Sequence, residues 1–275
     1  MAQREQERGG RFPQAPTREE WERMSVEERG QVVESLPGEV TWDEMAMPEG
    51  DLHSQAKMET LDVLRGFFSR QGRQVYLGTE LPVYYPDERR FAPDMLAVRD
   101  VETHPRSKWV VSQEGKGLEW VMEVHVGGDR KKDAEYNVER YARLRIPEYF
   151  IYDRARERLE AYRLPTPEAS RYERIAAEKG RYRSEVLGLE FELAGGKLRL
   201  WAGNALLLQS HELLEEEARL REQAERRAEG AEQRAEGAEQ RAEEETRRRE
   251  EAERRLAKLQ AELEQLRGPG TRPPS

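Results

Sequence analysis

With 275 residues the chain is long enough for one large domain or two small ones. Its 47 basic and 56 acidic side chains leave a net charge of −9, which disfavours a non-specific DNA coat but leaves room for a local basic cleft. The absence of cysteine excludes disulfides and thiolate sites, and 37% charged residues with a mean hydropathy of −1.01 exclude a single compact globule.

Residues 1–17 are polar, carry Gly and Pro, and read as a disordered tail. Thr17 stands three residues before Glu20 in TREEWERM, the spacing of a capping box that opens a short helix. From Leu52 to Phe68 the apolar residues Leu61, Leu64 and Phe68 fall at helical spacing, and Gly72 marks the end. Strand-like runs follow: QVYLGTELPVYY, DMLAVRD, GLEWVMEVHV, EYFIYD and RLEAYRL. Asp129 through Arg145 reads as a helix between the third and fourth of these, with Asp129 as N-cap and Pro147 beyond the end. Two further runs, YRSEVLGLEFEL and KLRLW, complete residues 18–205. The order helix, three strands, helix, strand predicts an α/β core built on a mixed sheet flanked by helices.

From 206 to 267 the composition turns to Glu, Arg, Ala, Gln and Leu without proline, and AEGAEQR recurs at seven residues. With position a at Leu207, the a series runs through Leu214, Arg221, Ala228, Ala235, Ala242, Arg249, Leu256 and Leu263, and the d series through Ser210, Glu217, Ala224, Ala231, Ala238, Glu245, Ala252, Leu259 and Leu266. A period of 3.5 residues held this long predicts an α-helical coiled coil, at ~1.5 Å per residue roughly 90 Å long. Its leucine ends, with alanine and charge in the middle, predict weak central pairing, most simply in a parallel homodimer. The alternative is a lone charged helix held by Glu–Arg pairs one turn apart. Residues 268–275 read as a second disordered tail. The sequence contains no run of 18 apolar residues and no basic-then-apolar start, so no membrane span or secretory signal is expected and a cytoplasmic location is.

The chemistry is concentrated in two strands. FAPDMLAVRD and GLEWVMEVHVGGDRKKD each place a carboxylate, Asp94 and Glu123, in a run that otherwise suits a buried strand. A buried carboxylate must be protonated, paired or bound to a cation. Neighbouring strands lie about 4.8 Å apart, so two acids at their ends can converge on one divalent ion. Glu80, in the preceding strand-like run, is a further candidate ligand. The four histidines, His53, His104, His125 and His211, show no HxxxH spacing.

Over roughly residues 30–165 the chain resembles the Uma-type restriction endonuclease family of the PD-(D/E)XK nuclease superfamily. The resemblance rests on Pro93-Asp94, on Glu123-Val124 at the end of an apolar strand, on Asp133 and Tyr141 in the next helix, and on IPEYFIYD. It implies a restriction-endonuclease-like fold and Mg²⁺-dependent (or Mn²⁺-dependent) phosphodiester cleavage, with DNA as substrate. It also implies that Asp94, Glu123 and the carbonyl of Val124 hold the metal. His53, at the head of the first long helix, sits where such proteins often carry a histidine, without an assignable role.

The chain departs from that pattern at the catalytic lysine. Two residues after the second acid, on the same strand face, stands His125. The place on the following helix, one turn after Asp133, is taken by Asn137. Asp133, Asn137 and Tyr141 recur at helical spacing and share one face. The nearest lysines are Lys131 and Lys132, after the Gly127-Gly128 turn, and they are the expected source of positive charge at the phosphate. The sequence thus supports a metal-dependent endonuclease using Asp94, Glu123, Lys131, Lys132 and His125. Two other classes stand beside it: a catalytically silent nucleic-acid-binding module, and a coiled-coil scaffold protein capped by the α/β domain.

Overall fold

A computed structural model describes residues 12–39, 50–127 and 132–267. Within the chain two compact units separate, Met1–His211 and Glu212–Ser275.

The first unit opens with two short helices, α1 (Arg18–Arg23) and α2 (Val26–Ser35). Each begins with a complete capping box, Thr17 with Glu20 and Ser25 with Glu28, which satisfies N–H groups that a helix start otherwise leaves open. The long helix α3 (Asp51–Arg70) follows and buries Ala56, Val63, Leu64 and Phe68 along one stripe. Gln71 caps it and Gly72 follows at φ +62°, near where the sequence predicts the end.

The central sheet has six strands in the order β1 (Val75–Gly78), β3 (Met95–Arg99), β5 (Trp120–His125), β6 (Glu148–Asp153), β7 (Arg158–Arg163) and β8 (Glu173–Arg174). Only β5 and β6 are parallel; every other neighbouring pair is antiparallel. A parallel pair needs a crossover, and the chain makes it through the helix α5 (Val138–Arg143). A small parallel pair, β2 (Val83–Tyr84) with β4 (Trp109–Val110), and the short helix α4 (Val111–Glu114) complete this region.

Side chains alternate across the sheet, and both faces are buried. Trp120, Met122 and Val124 of β5 join Met95, Ala97, Phe150 and Tyr152 in a core shared with α3. On the other face Val121, Leu96, Val98, Tyr149 and Ile151 pack with Tyr141 of α5, Trp109 and Ile146. This is the mixed sheet between helices that the sequence predicts, and it explains why its strands read as near-continuous apolar runs.

The last β runs form a separate antiparallel sheet, β9 (Arg181–Ser184), β10 (Leu189–Ala194), β11 (Lys197–Ala202) and β12 (Ala205–Leu207), in the order β12-β11-β10-β9. Gly195 and Gly196, at φ +60° and +71°, make the two-residue turn between β10 and β11, a geometry that costs glycine nothing. Leu189, Phe191, Leu200 and Leu207 deliver this sheet to the α3 side of the core.

Two boundaries differ from the sequence expectation. Leu206 and Leu207, read as the start of the coil, belong to β12, where Leu207 pairs with Leu200; the last helix, α6, runs Ser210–Arg267. The helix expected from Asp129 is described from Lys132, and its first six residues, Lys132–Asn137, are a π-helical turn leading into α5. Asp129, expected as its cap, lies outside the described residues.

In α6, Arg221, Arg226, Arg249 and Arg254 pair with Glu217, Glu222, Glu245 and Glu250 one turn earlier. The heptad leucines Leu214, Leu256, Leu259, Leu263 and Leu266 are exposed in the single chain. No helix among the described residues is long and apolar enough to cross a membrane.

Candidate metal centre

The site forms where β3 and β5 part. The antiparallel register pairs Met95 with Met122 and Leu96 with Val121, so one further step sets Asp94 opposite Glu123. Pro93 precedes Asp94 and has no N–H to extend the ladder, which ends the strand there. Side chains take over from the backbone. The Asp94 N–H donates to Glu123 Oε2 at 3.1 Å, and the Val124 N–H donates to Asp94 Oδ2 at 2.8 Å. Tyr141, reaching in from α5, donates its hydroxyl to Glu123 Oε1 at 2.7 Å. Both residues are 8% exposed.

Helix α3 supplies two more groups. His53 and Lys57 stand one turn apart on it and both are buried. His53 Nε2 lies 3.1 Å from Asp94 Oδ2, and Lys57 Nζ lies 3.7 Å from Asp94 Oδ1. The Lys57 ammonium also pairs closely with Glu80, which comes from the segment between β1 and β2. Glu80 is half exposed and holds a left-handed backbone at φ +50°, uncommon for a residue with a Cβ. Its N–H donates to the Pro93 carbonyl at 3.0 Å, which ties it to the residue before Asp94.

Burial by itself pushes the Asp94 carboxyl upward. The hydrogen bond and charge of His53, the Val124 N–H and the charge of Lys57 together outweigh it and hold Asp94 below the usual carboxylate range. The acid is thereby kept ionised. His53, Glu80 and Asp94 each offer a ligand atom, all within 4.8 Å of one another.

Of the residues expected from sequence, the fold unites Asp94, Glu123, Val124, Glu80 and Tyr141. His53, to which the sequence assigned no role, is placed against Asp94. His125 is buried at the end of β5, opposite Asp153 of β6, and its carbonyl accepts the Arg154 N–H at 2.8 Å. Lys131 lies outside the described residues, and Lys132 and Asp133 are described in their backbone alone, as the start of the π turn. Asn137 is buried one turn before Tyr141. Sequence reasoning missed Lys57. The available signal was a lysine on the buried stripe of α3, between Ala56 and Thr60, one turn beyond His53.

The comparisons with known proteins bear on this arrangement. Residues 18–196 match the family Uma2, described as "Putative restriction endonuclease". The match covers well over half of the chain, and the protein belongs to this family. Its mixed α/β domain, with paired acids at the ends of adjacent strands, has the restriction-endonuclease-like character expected from sequence. Among solved structures, similarity extends to a putative nuclease belonging to DUF820 from Anabaena variabilis ATCC 29413, at 16% identity and a TM-score of 0.40, covering 52% of this chain and 76% of that one. No curated protein matches.

Proposed function

We propose that this protein is an endonuclease that hydrolyses DNA phosphodiester bonds with Mg²⁺ or Mn²⁺, held by Asp94, Glu123 and the Val124 carbonyl, with Glu80 and His53 as further donors. The observation that carries this reading is the buried pair Asp94 and Glu123, set opposite one another at the strand ends, with Glu80 and His53 beside Asp94. The donor set fits such a cation. Carboxylate and carbonyl oxygens suit hard divalent ions, and an added imidazole nitrogen favours Mn²⁺ over Mg²⁺. When bound, the cation supplies a water of lowered pKa and screens the scissile phosphate.

The protein's own residues do the positioning. Before a cation binds, Asp94 is held ionised by His53, the Val124 N–H and Lys57. Glu123 is oriented from two sides, by the Asp94 N–H and the Tyr141 hydroxyl, as ligand carboxylates usually are. In α6 the exposed heptad leucines support a homodimer, and two active sites on one particle suit cleavage of both strands of a duplex. The location in this reading is cytoplasmic.

Plasmid nicking tests the proposal. The wild type should nick supercoiled DNA with Mg²⁺ or Mn²⁺ and not with chelator, and Glu123→Ala and Asp94→Asn should each lose at least ~10²-fold. DNA binding without cleavage in either metal would replace the nuclease with a silent binding module. Absence of both would leave the scaffold reading.

A further inference from the structure

We propose that Lys57 is the catalytic cation of this site: its ammonium, delivered by α3, neutralises the charge that builds on the attacked phosphate. The inference rests on the nuclease reading above and puts Lys57, within it, in the role for which the sequence offered Lys131 or Lys132. Hydrolysis forms a bond from a water oxygen to phosphorus and breaks the ester P–O bond. The proton that water gives up ends on the departing alkoxide, and the added negative charge sits on the phosphoryl oxygens at the midpoint. A positive group is required there, because such charge is stabilised only by a donor already in place.

The strand and helix positions that could carry a lysine hold His125 and Asn137 instead. Lys57 comes from a different element and reaches the same acids. Its Nζ stands 3.7 Å from Asp94 Oδ1 and is paired with Glu80, both of them candidate ligands. The side chain is 7% exposed, on a stripe whose other members, Ala56, Thr60, Val63 and Leu64, pack into the core. Burying an ammonium costs several kcal/mol unless it is well paired, so an apolar residue would serve packing better at this place. One turn earlier His53 touches Asp94. The two side chains therefore deliver a nitrogen ligand and a fixed charge from one rigid helix, which holds them in register as a loop could not.

Lys57→Met keeps the length and packing of the stem and removes the charge. On the full chain with Mn²⁺, its kcat for plasmid nicking should fall at least 10²-fold, the usual scale for losing one such donor. Its KM for DNA should stay within about threefold, since the effect lies in the transition state. Its Mn²⁺ affinity, read by calorimetry without DNA, should equal or exceed that of the wild type, because an ammonium beside Asp94 opposes a second cation. Lys57→Arg, which keeps the charge, should recover at least tenfold of the lost kcat. A thermal melt establishes that Lys57→Met is folded; should it not be, Lys57→Gln takes its place.

Unchanged kcat in Lys57→Met overturns the proposal, and so does loss of turnover in Lys131→Ala/Lys132→Ala while Lys57→Met cleaves normally. Weaker Mn²⁺ binding with turnover restored at saturating Mn²⁺ also overturns it, since Lys57 would then only organise Asp94. A wild type that cleaves under no condition removes the nuclease reading itself, a result distinct from an active wild type with an equally active variant.

Discussion

Asp94 and Glu123 are fastened to each other's strands: the Asp94 N–H donates to the Glu123 carboxylate, and the N–H next to Glu123, that of Val124, donates to the Asp94 carboxylate. Neither acid can move without loosening the end of the β3–β5 ladder. Hydrogen bonds to an ionised carboxylate such as that of Asp94 are roughly twice as strong as neutral ones, so the two acids stay close and oriented at the strand ends. The sheet itself thus preorganises the site, and the groups that surround the pair can be tested one at a time.

Tyr141 reaches Glu123 through its hydroxyl, at 2.7 Å from Oε1. Tyr141→Phe retains the ring that packs against Phe91 and Tyr149 and removes that one donor. The expected loss is about 1 kcal/mol of stability by urea denaturation, the net worth of one hydrogen bond. Metal affinity should fall about 10–100-fold, as when a partner of a ligand is removed. Equal Mn²⁺ affinity in the two proteins would separate Tyr141, and Glu123 with it, from the metal.

Glu80 offers a rarer separation of stability from function. Its φ of +50° suits glycine better than glutamate, and when it is removed Asp94 still stands beside the buried Lys57 ammonium. Glu80→Gly should therefore shift the melting temperature by only a few degrees, about 1 kcal/mol of relieved backbone strain offsetting part of the lost ion pair. The same variant should bind Mn²⁺ at least tenfold more weakly. A variant that melts much earlier, or keeps full affinity, contradicts the role of Glu80 as a ligand.

Asp94 predicts a particular pH dependence. His53, the Val124 N–H and Lys57 overcome burial and hold its pKa below the ordinary value. The folded state therefore binds fewer protons at this carboxyl than the unfolded state does. That adds stability above the ordinary Asp pKa of ~3.9 and loses it as pH falls through the folded value. Asp94→Asn should be less stable than the wild type at pH 7, by about 1.5–3 kcal/mol for bonds to a charged group. The gap should shrink as the pH is taken below about 4. Urea melts at pH 7, 5 and 3.5 measure it; a gap that widens toward acid has the wrong sign. Glu80, Glu123, His53 and Lys57 border Asp94, so the comparison is between the two proteins at each pH.

The leucines of α6 predict self-association. Leu256, Leu259, Leu263 and Leu266 are all more than half exposed, at spacings of three and four residues. The alanine centre makes the affinity modest. Sedimentation of the full chain at tens of micromolar should give a dimer, and the chain truncated after Gln209 a monomer. Two monomers at that concentration would leave α6 as a lone helix, held by the Glu–Arg pairs it carries.

The elements that build the site were legible as local patterns. The stripe of α3, the apolar runs of β3, β5 and β6, and the two capping-box residues Thr17 and Glu20 all announce themselves within a dozen residues, because side-chain periodicity is a property of one element. Asp94 and Glu123 stood out for a related reason: a carboxylate in an apolar run needs a partner, whatever the partner is. Where those partners came from was a matter for the tertiary structure. Lys57 and His53 lie some forty residues before Asp94 and reach it only because α3 packs on the α3-facing side of the sheet, and Glu80 reaches it only through a left-handed turn. The four strands from Arg181 to Leu207 likewise became a separate sheet through pairing that no local period encodes. Sequence alone determined which groups had to be compensated; packing decided which did the compensating, because charges meet through space and the chain specifies their meeting only by folding.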